Sequence, residues 1–181
     1  MMTPKLSPCL VLCLACHILL LSQVQAQEGS TITSLPIKLP RPSFTGTPLN
    51  YKSLFLEPPT LRKRPSFLAP AGTENVAFGK TVTASTRDPL AGTLDMIVDG
   101  EKGFAERFQV HLPFGSQWVQ IDLGAEHEVF AIVVWHYHAS DRVYFDFEVK
   151  TALDEDCTRG VTTLYNNDRD NSSGLGDGKD K

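Results

Sequence analysis

The octapeptide VYFDFEVK, residues 143–150, alternates side-chain character without a break: Val143, Phe145, Phe147 and Val149 against Tyr144, Asp146, Glu148 and Lys150. An extended backbone sends successive side chains to opposite faces, so a period of two predicts a strand with one face covered. WVQIDLG (118–124) has the same period, with Val119, Ile121 and Leu123 on one face and Gly124 ending the run. VFAIVVWHYH (129–138) is apolar on both faces until its end. Val129, Ala131, Val133, Trp135 and Tyr137 share one side, Phe130, Ile132, Val134, His136 and His138 the other. A strand covered on both faces has this texture, which predicts a central position with Trp135 in the core and both histidines at its rim. Shorter strands are expected at KTVTAS (80–85), LDMIV (94–98) and VTTLY (161–165). No window carries a helical period. Short strands separated by Gly, Asp and Pro predict an all-β antiparallel jelly-roll sandwich.

The N-terminal half predicts a different organisation. Lys5 precedes an apolar run from Leu10 to Leu21 that ends in SQVQA, the pattern of a secretory signal peptide over 1–26 with cleavage after Ala26. The run is too short for a bilayer core, which needs roughly 20 apolar residues. The expected location is therefore secreted, periplasmic or cell-surface. Cys9, Cys13 and Cys16 would leave with that segment, so Cys157 could form no internal disulfide, and a partly buried small residue is its expected role. Residues 27–73 contain eight of the twelve prolines, which predicts an extended basic linker without its own core. Arg62, Lys63 and Arg64 form a short basic cluster there, read as a solvated charge run before a processing site or an anionic-surface contact. Residues 28–73 carry six basic and two acidic side chains, net +4, whereas residues 74–181 carry ten basic and nineteen acidic, net −9. An acidic domain of this kind lacks the basic face that nucleic acid requires.

Three signatures in order, NVAFGKTVTAS (75–85), VDG (98–100) and WVQIDLG (118–124), resemble the discoidin-like, coagulation-factor type C domains, which share the galactose-binding-like jelly roll. The resemblance covers about half the chain, to near Tyr165, and is closest to copies in exported bacterial proteins. It implies a β-sandwich domain over 74–181. It also implies a structural Ca2+ with Asp99 among its ligands; oxygen donors suit that hard cation, and a simple turn at Asp99-Gly100 is the other reading. Where the family has a tryptophan after this turn, the nearest aromatics are Phe104 and Phe108. The family's ARYVRLY-type strand and last-strand glutamate do not occur, so the domain is expected to be incomplete at its C-terminus.

For chemistry, no GxSxG, HExxH or GxxxxGK[ST] occurs, and no base is placed beside Cys157, so an enzyme is not expected. His136 and His138 could share a zinc ion, but three or four protein ligands are needed, and no motif places His111 or His127 with them. In the loop 166–174, Asp168, Asp170 and Ser172 match the start of an EF-hand loop. Ser173 and Lys179 then stand where that template needs Gly and Glu, so a solvated surface loop is expected. Asn171-Ser172-Ser173 is an N-glycosylation acceptor in a host that glycosylates such sites. Domains of the resembled type bind ligands on loops at one end of the sandwich, which points to carbohydrate or a cell-surface glycan. Sugar reading needs an aromatic face together with imidazole, guanidinium or amide groups. His136, His138, Asp141 and Arg142 after the central strand offer these, as do Phe104, Glu106 and Arg107 after VDG. The expected function is an exported, non-catalytic binding module. The alternative is a structural module that contacts another protein chain; a metal-dependent hydrolase stands behind both.

Overall fold

The computed structural model describes residues 31–35, 37, 48–58, 65–103 and 105–181. The signal-peptide region, the Arg62–Arg64 cluster and Phe104 lie outside the described residues. The chain divides into two compact units, one formed by residues 1–35 and 66–73, the other by 36–65 and 74–181.

In the first unit, β1 (Ile32–Ser34) pairs antiparallel with β2 (Leu68–Pro70), with Thr33 opposite Ala69. Two flanking bonds extend the ladder, Leu35 N–H to Phe67 O and Ala71 N–H to Thr31 O, both 2.8 Å. Residues at both ends of the expected linker thus form a small paired element, with Ala69 buried.

The second unit is also built of short antiparallel pairs. β3 (Thr81–Ala84) pairs with β4 (Val119–Asp122), with Val82 opposite Ile121 and Ala84 opposite Val119. Their alternation follows the sequence: Val82 and Ala84 are half-buried, Thr81 and Thr83 exposed. LDMI, expected as a strand, is instead a 3₁₀ turn (Leu94–Ile97) lying against β3. The turn carries the chain into the DG bend, where Gly100 has φ 81° and packs below the Phe78 ring. Behind it Val98 is buried and its carbonyl accepts the Gly79 amide at 2.9 Å. A second 3₁₀ turn spans Glu106–Phe108, and an isolated antiparallel bridge joins Ala91 to His111.

β5 (Glu148–Thr151) pairs with β6 (Thr162–Asn166). Val149 faces Tyr165 while Lys150 faces Thr163, so Leu164 has no opposite number and forms a bulge. The connection between these strands is closed by Asp154, whose carboxylate accepts the backbone amides of Thr158 and Arg159 at 2.8 and 3.0 Å. The hydrogen bond from the Thr158 hydroxyl, then that from the Arg159 amide, holds this exposed carboxyl below its ordinary range. Cys157, expected to be partly buried, is exposed at this bend with φ 52°.

The described residues are therefore all-β and antiparallel, in three two-stranded ladders with almost no helix. Two further strand expectations are corrected. VYFDFEVK is a strand only from Glu148, because Asp146 takes a left-handed φ of 55° and breaks the extended path between Phe145 and Phe147. VFAIVVWHYH contains no strand, and residues 125–146 make no backbone–backbone hydrogen bond among the described residues. Phe130, Ile132 and Val134 are exposed, Val134 by 48 %. An apolar pattern records a tendency to be covered; a strand also needs a partner backbone to take its N–H and C=O groups. Trp135 is half-buried rather than core, with Lys102 Nζ 5.2 Å from its ring centroid.

Residues 144–147 and 166–180 are joined instead by a polar hub. Asn167, 6 % exposed, receives the Phe147 amide at Oδ1 (2.6 Å) and donates from Nδ2 to Tyr144 O (2.9 Å). Asn166 donates from Nδ2 to Leu175 O at 2.9 Å, and its amide donates to Asp180 Oδ2 at 2.7 Å. Gly178 donates to Asp168 O at 2.8 Å, and a Cβ there would stand 2.6 Å from Asn166 O and 2.7 Å from the Asp168 amide nitrogen. Only glycine lets the backbone approach this closely.

Replacing Asn167 by Ala removes two part-buried hydrogen bonds, to the Phe147 amide and the Tyr144 carbonyl, each contributing about 0.5–1.5 kcal/mol. The urea midpoint of the Asn167→Ala protein is expected to fall accordingly, whereas Leu164→Ser, at the exposed bulge, stays within about 0.5 kcal/mol of the parent.

Candidate functional site

The segment WHYH folds into an aromatic cluster. His136 stacks on Tyr144 with ring centroids 4.1 Å apart and planes inclined by 17°, and meets the Phe147 ring edge-on at 4.8 Å. Phe147 in turn lies 6.0 Å from Tyr165 on β6. The Tyr144 hydroxyl donates to Tyr137 O at 3.3 Å, and Arg142 lies 4.3 Å over the Tyr137 ring. His138 places Nδ1 3.1 Å from the His136 carbonyl oxygen. Carbonyl oxygen only accepts, so Nδ1 is the donor. Nε2 is buried and has no hydrogen-bond partner among the described residues.

Of the other residues singled out by sequence, Asp141 Oδ2 accepts from Asn50 Nδ2 at 3.4 Å, a long contact. Arg107 is exposed, with its guanidinium 4.4 Å from the Phe108 ring centroid. Asp99 Oδ1 accepts the Glu101 amide at 2.7 Å, as a turn-forming aspartate does. The structure thus brings His136, His138 and Arg142 into one neighbourhood through Tyr137 and Tyr144. Neither histidine belongs to a group of three metal-capable side chains among the described residues.

A second constellation lies across the hub. Asp146, Asp168 and Asp170 each bring one carboxylate oxygen within 4.8 Å of the other two. Three features of the chain assemble it. The left-handed turn displays Asp146 next to the strand start, β6 delivers Asp168 immediately after the Asn166-Asn167 pair, and a tight turn follows at Asp170. The loop expected to be fully solvated is only partly so: Asp168 is 0 % exposed, Asp170 is exposed and Asp146 lies between. Asp168 Oδ2 accepts the amides of Ser173 and Leu175 at 3.2 and 3.1 Å. The Ser172 hydroxyl, then the Ser172 amide, holds the Asp170 carboxyl below the usual range. Ser173 Oγ donates to Asp146 Oδ2 at 3.0 Å, tying the two parts of the constellation together.

Beside these carboxylates lies an open depression of about 250 Å³. Phe55 and Phe145 give it apolar walls, and Asp146, Asn167, Arg169 and Asp170 give it polar ones. Sequence reading missed most of this. Asp146 is indistinguishable from Glu148 and Lys150 in the outward row of VYFDFEVK, and Phe55 sits in the Pro-rich leader. The signal that was present, aspartates at 168 and 170 followed by serines, was set aside because it fails a template for a loop between two helices.

Burial pushes the His136 imidazole below its ordinary value of 6.5. The unfolded chain then takes up its proton at higher pH than the folded one, so stability present above about 6.5 is lost as pH falls toward the folded-state value. The urea midpoint is expected to drop between pH 7 and pH 5 (both about), with a smaller drop in His136→Gln. An equal drop in both proteins would show that His136 is not the group responsible.

Comparison of the chain with protein-family models, with curated proteins and with solved structures finds no match.

Proposed function

We propose that this protein is an exported, non-catalytic binding module of the galactose-binding-like jelly-roll type that takes a carbohydrate or cell-surface glycan. The reading is carried by the open depression walled by Phe55 and Phe145 on one side and by Asp146, Asn167, Arg169 and Asp170 on the other. A sugar ring offers an apolar face and a rim of hydroxyls. Phenyl rings accept the face, while carboxylate, amide and guanidinium groups bond the hydroxyls in both donor and acceptor senses. The volume of about 250 Å³ is below that of typical small-molecule pockets, about 300–1,000 Å³, and suits one sugar unit rather than a buried oligosaccharide. His136 is a weaker candidate for sugar contact, because its ring is engaged with Tyr144 and Phe147. The antiparallel all-β ladders and the leader-peptide pattern at 1–26 support the fold and the export in this reading.

A second reading, contact with another protein chain, draws on a separate observation: Val129, Phe130, Ile132, Val133 and Val134 are exposed in one continuous segment. Contiguous apolar surface of this kind marks interaction sites.

Affinity electrophoresis through gels cast with different polysaccharides, together with a glycan array, tests the first reading. Retention is expected for the parent protein and should be lost in Phe145→Ala at an unchanged thermal midpoint. Retention by no glycan, together with capture of a protein that Val134→Asp releases, would replace the first reading by the second.

A further inference from the structure

We propose that Asp146, Asp168 and Asp170 hold a divalent cation of the hard, oxygen-preferring class, calcium in preference to magnesium or zinc. One oxygen from each carboxylate lies within 4.8 Å of the others. Three oxygens no more than 4.8 Å apart have a common centre at most about 2.8 Å from each, so an inward shift of a few tenths of an ångström brings all three to a calcium–oxygen bond of roughly 2.3–2.6 Å.

The independent observation is the state of Asp168. Its side chain is wholly buried, yet Oδ1 has no hydrogen-bond partner among the described residues, while Oδ2 has the Ser173 and Leu175 amides. A buried carboxylate oxygen without a donor keeps its full desolvation penalty. A cation removes that penalty and also neutralises the repulsion among three acidic groups. No basic side chain among the described residues does so. Among the described residues, none of the three aspartates is ion-paired with lysine or arginine, and the nearby Arg169 guanidinium donates to Lys179 O at 2.8 Å.

The donor set decides the class of ion. Zinc favours imidazole and thiolate, and none is in the group. Magnesium, at about 2.0–2.1 Å, would require the oxygens to close in toward a near-ideal octahedron. Calcium accepts wider, irregular shells of about six to eight oxygens, which water can complete on the exposed side of Asp170. The bound ion would clamp the left-handed turn at Asp146 to the loop after β6, adding to the Ser173 hydroxyl bond that joins them. This site is distinct from Asp99, and it does not depend on a sugar occupying the neighbouring depression, because the test reads calcium alone.

The full-length protein, stripped with a chelator, is titrated calorimetrically with calcium chloride and melted with and without it. One site is expected, with a dissociation constant of about 10⁻³ M or tighter, and a midpoint that rises with calcium concentration. Magnesium chloride should bind at least about tenfold more weakly. Asp170→Asn, which alters an exposed side chain, should weaken calcium at least about tenfold while the protein still melts cooperatively. Asp168→Asn should abolish binding, and if it does not fold, Asp170→Asn and Asp146→Asn decide the matter. Absence of both binding heat and a midpoint shift up to about 10 mM calcium overturns the assignment. So does an undiminished calcium response in both Asp170→Asn and Asp146→Asn, and equal binding of magnesium overturns the choice of calcium.

Discussion

The carboxylate of Asp168 sits fully buried between two segments that are distant in sequence, with one oxygen taking the amides of Ser173 and Leu175 and the other taking none. Its backbone is held as firmly: the amide donates to Asn166 Oδ1 at 2.9 Å, and the carbonyl accepts Gly178 at 2.8 Å. Around it, Asn167 stitches the loop to Tyr144 and Phe147. The placement of the aromatic cluster, the start of β5 and the course of residues 169–180 all follow from this knot. Buried polar groups of this kind specify one arrangement because each alternative leaves a donor or acceptor unmet.

This matters because apolar burial is sparse among the described residues, where Ala69 and Val98 are the only fully buried hydrophobic side chains. Short ladders pair backbone to backbone but cover little side-chain area. Specific hydrogen bonds, turns with left-handed residues and aromatic stacking therefore carry more of the local definition than in a domain with a deep core. The proposed binding surface lies at the hub for the same reason. Rigid polar groups with fixed directions are already assembled there, and Phe145 and Phe55 supply the apolar walls beside them.

Legibility in the sequence followed the range of the interactions. KTVTAS and WVQIDLG were read as strands and contain β3 and β4, and VTTLY covers β6 up to its last residue, Asn166, because alternation over a few residues is a local property. Asp99-Gly100 was read as a turn pair whose carboxylate could also hold calcium, and Gly100 has the positive φ that such a pair allows. LDMIV was misread because four or five apolar-rich residues fit a strand and a 3₁₀ turn equally well. VFAIVVWHYH was misread because its pattern reports a wish for burial and is silent about which backbone, if any, lies alongside. Of the candidate site, the aspartates at 168 and 170 were visible as a pair, but nothing in the linear pattern linked them to Asp146 across more than twenty positions.

The sequence by itself determined the all-β antiparallel character, the course of β3 and β4, and the turn at Asp99-Gly100. Side-chain alternation, proline and glycine act through steric rules that reach only a few residues. The tertiary structure alone decided that Asp168 is buried, that Asp146 turns left-handed beside it, and that His136 is stacked on Tyr144 and meets Phe147 edge-on. Each of those outcomes depends on residues that meet only once the chain has turned back: Ser173 and Leu175 at Asp168, Ser173 at Asp146, and Tyr144 and Phe147 at His136. Such meetings are set by which donors find acceptors once the chain has folded back on itself.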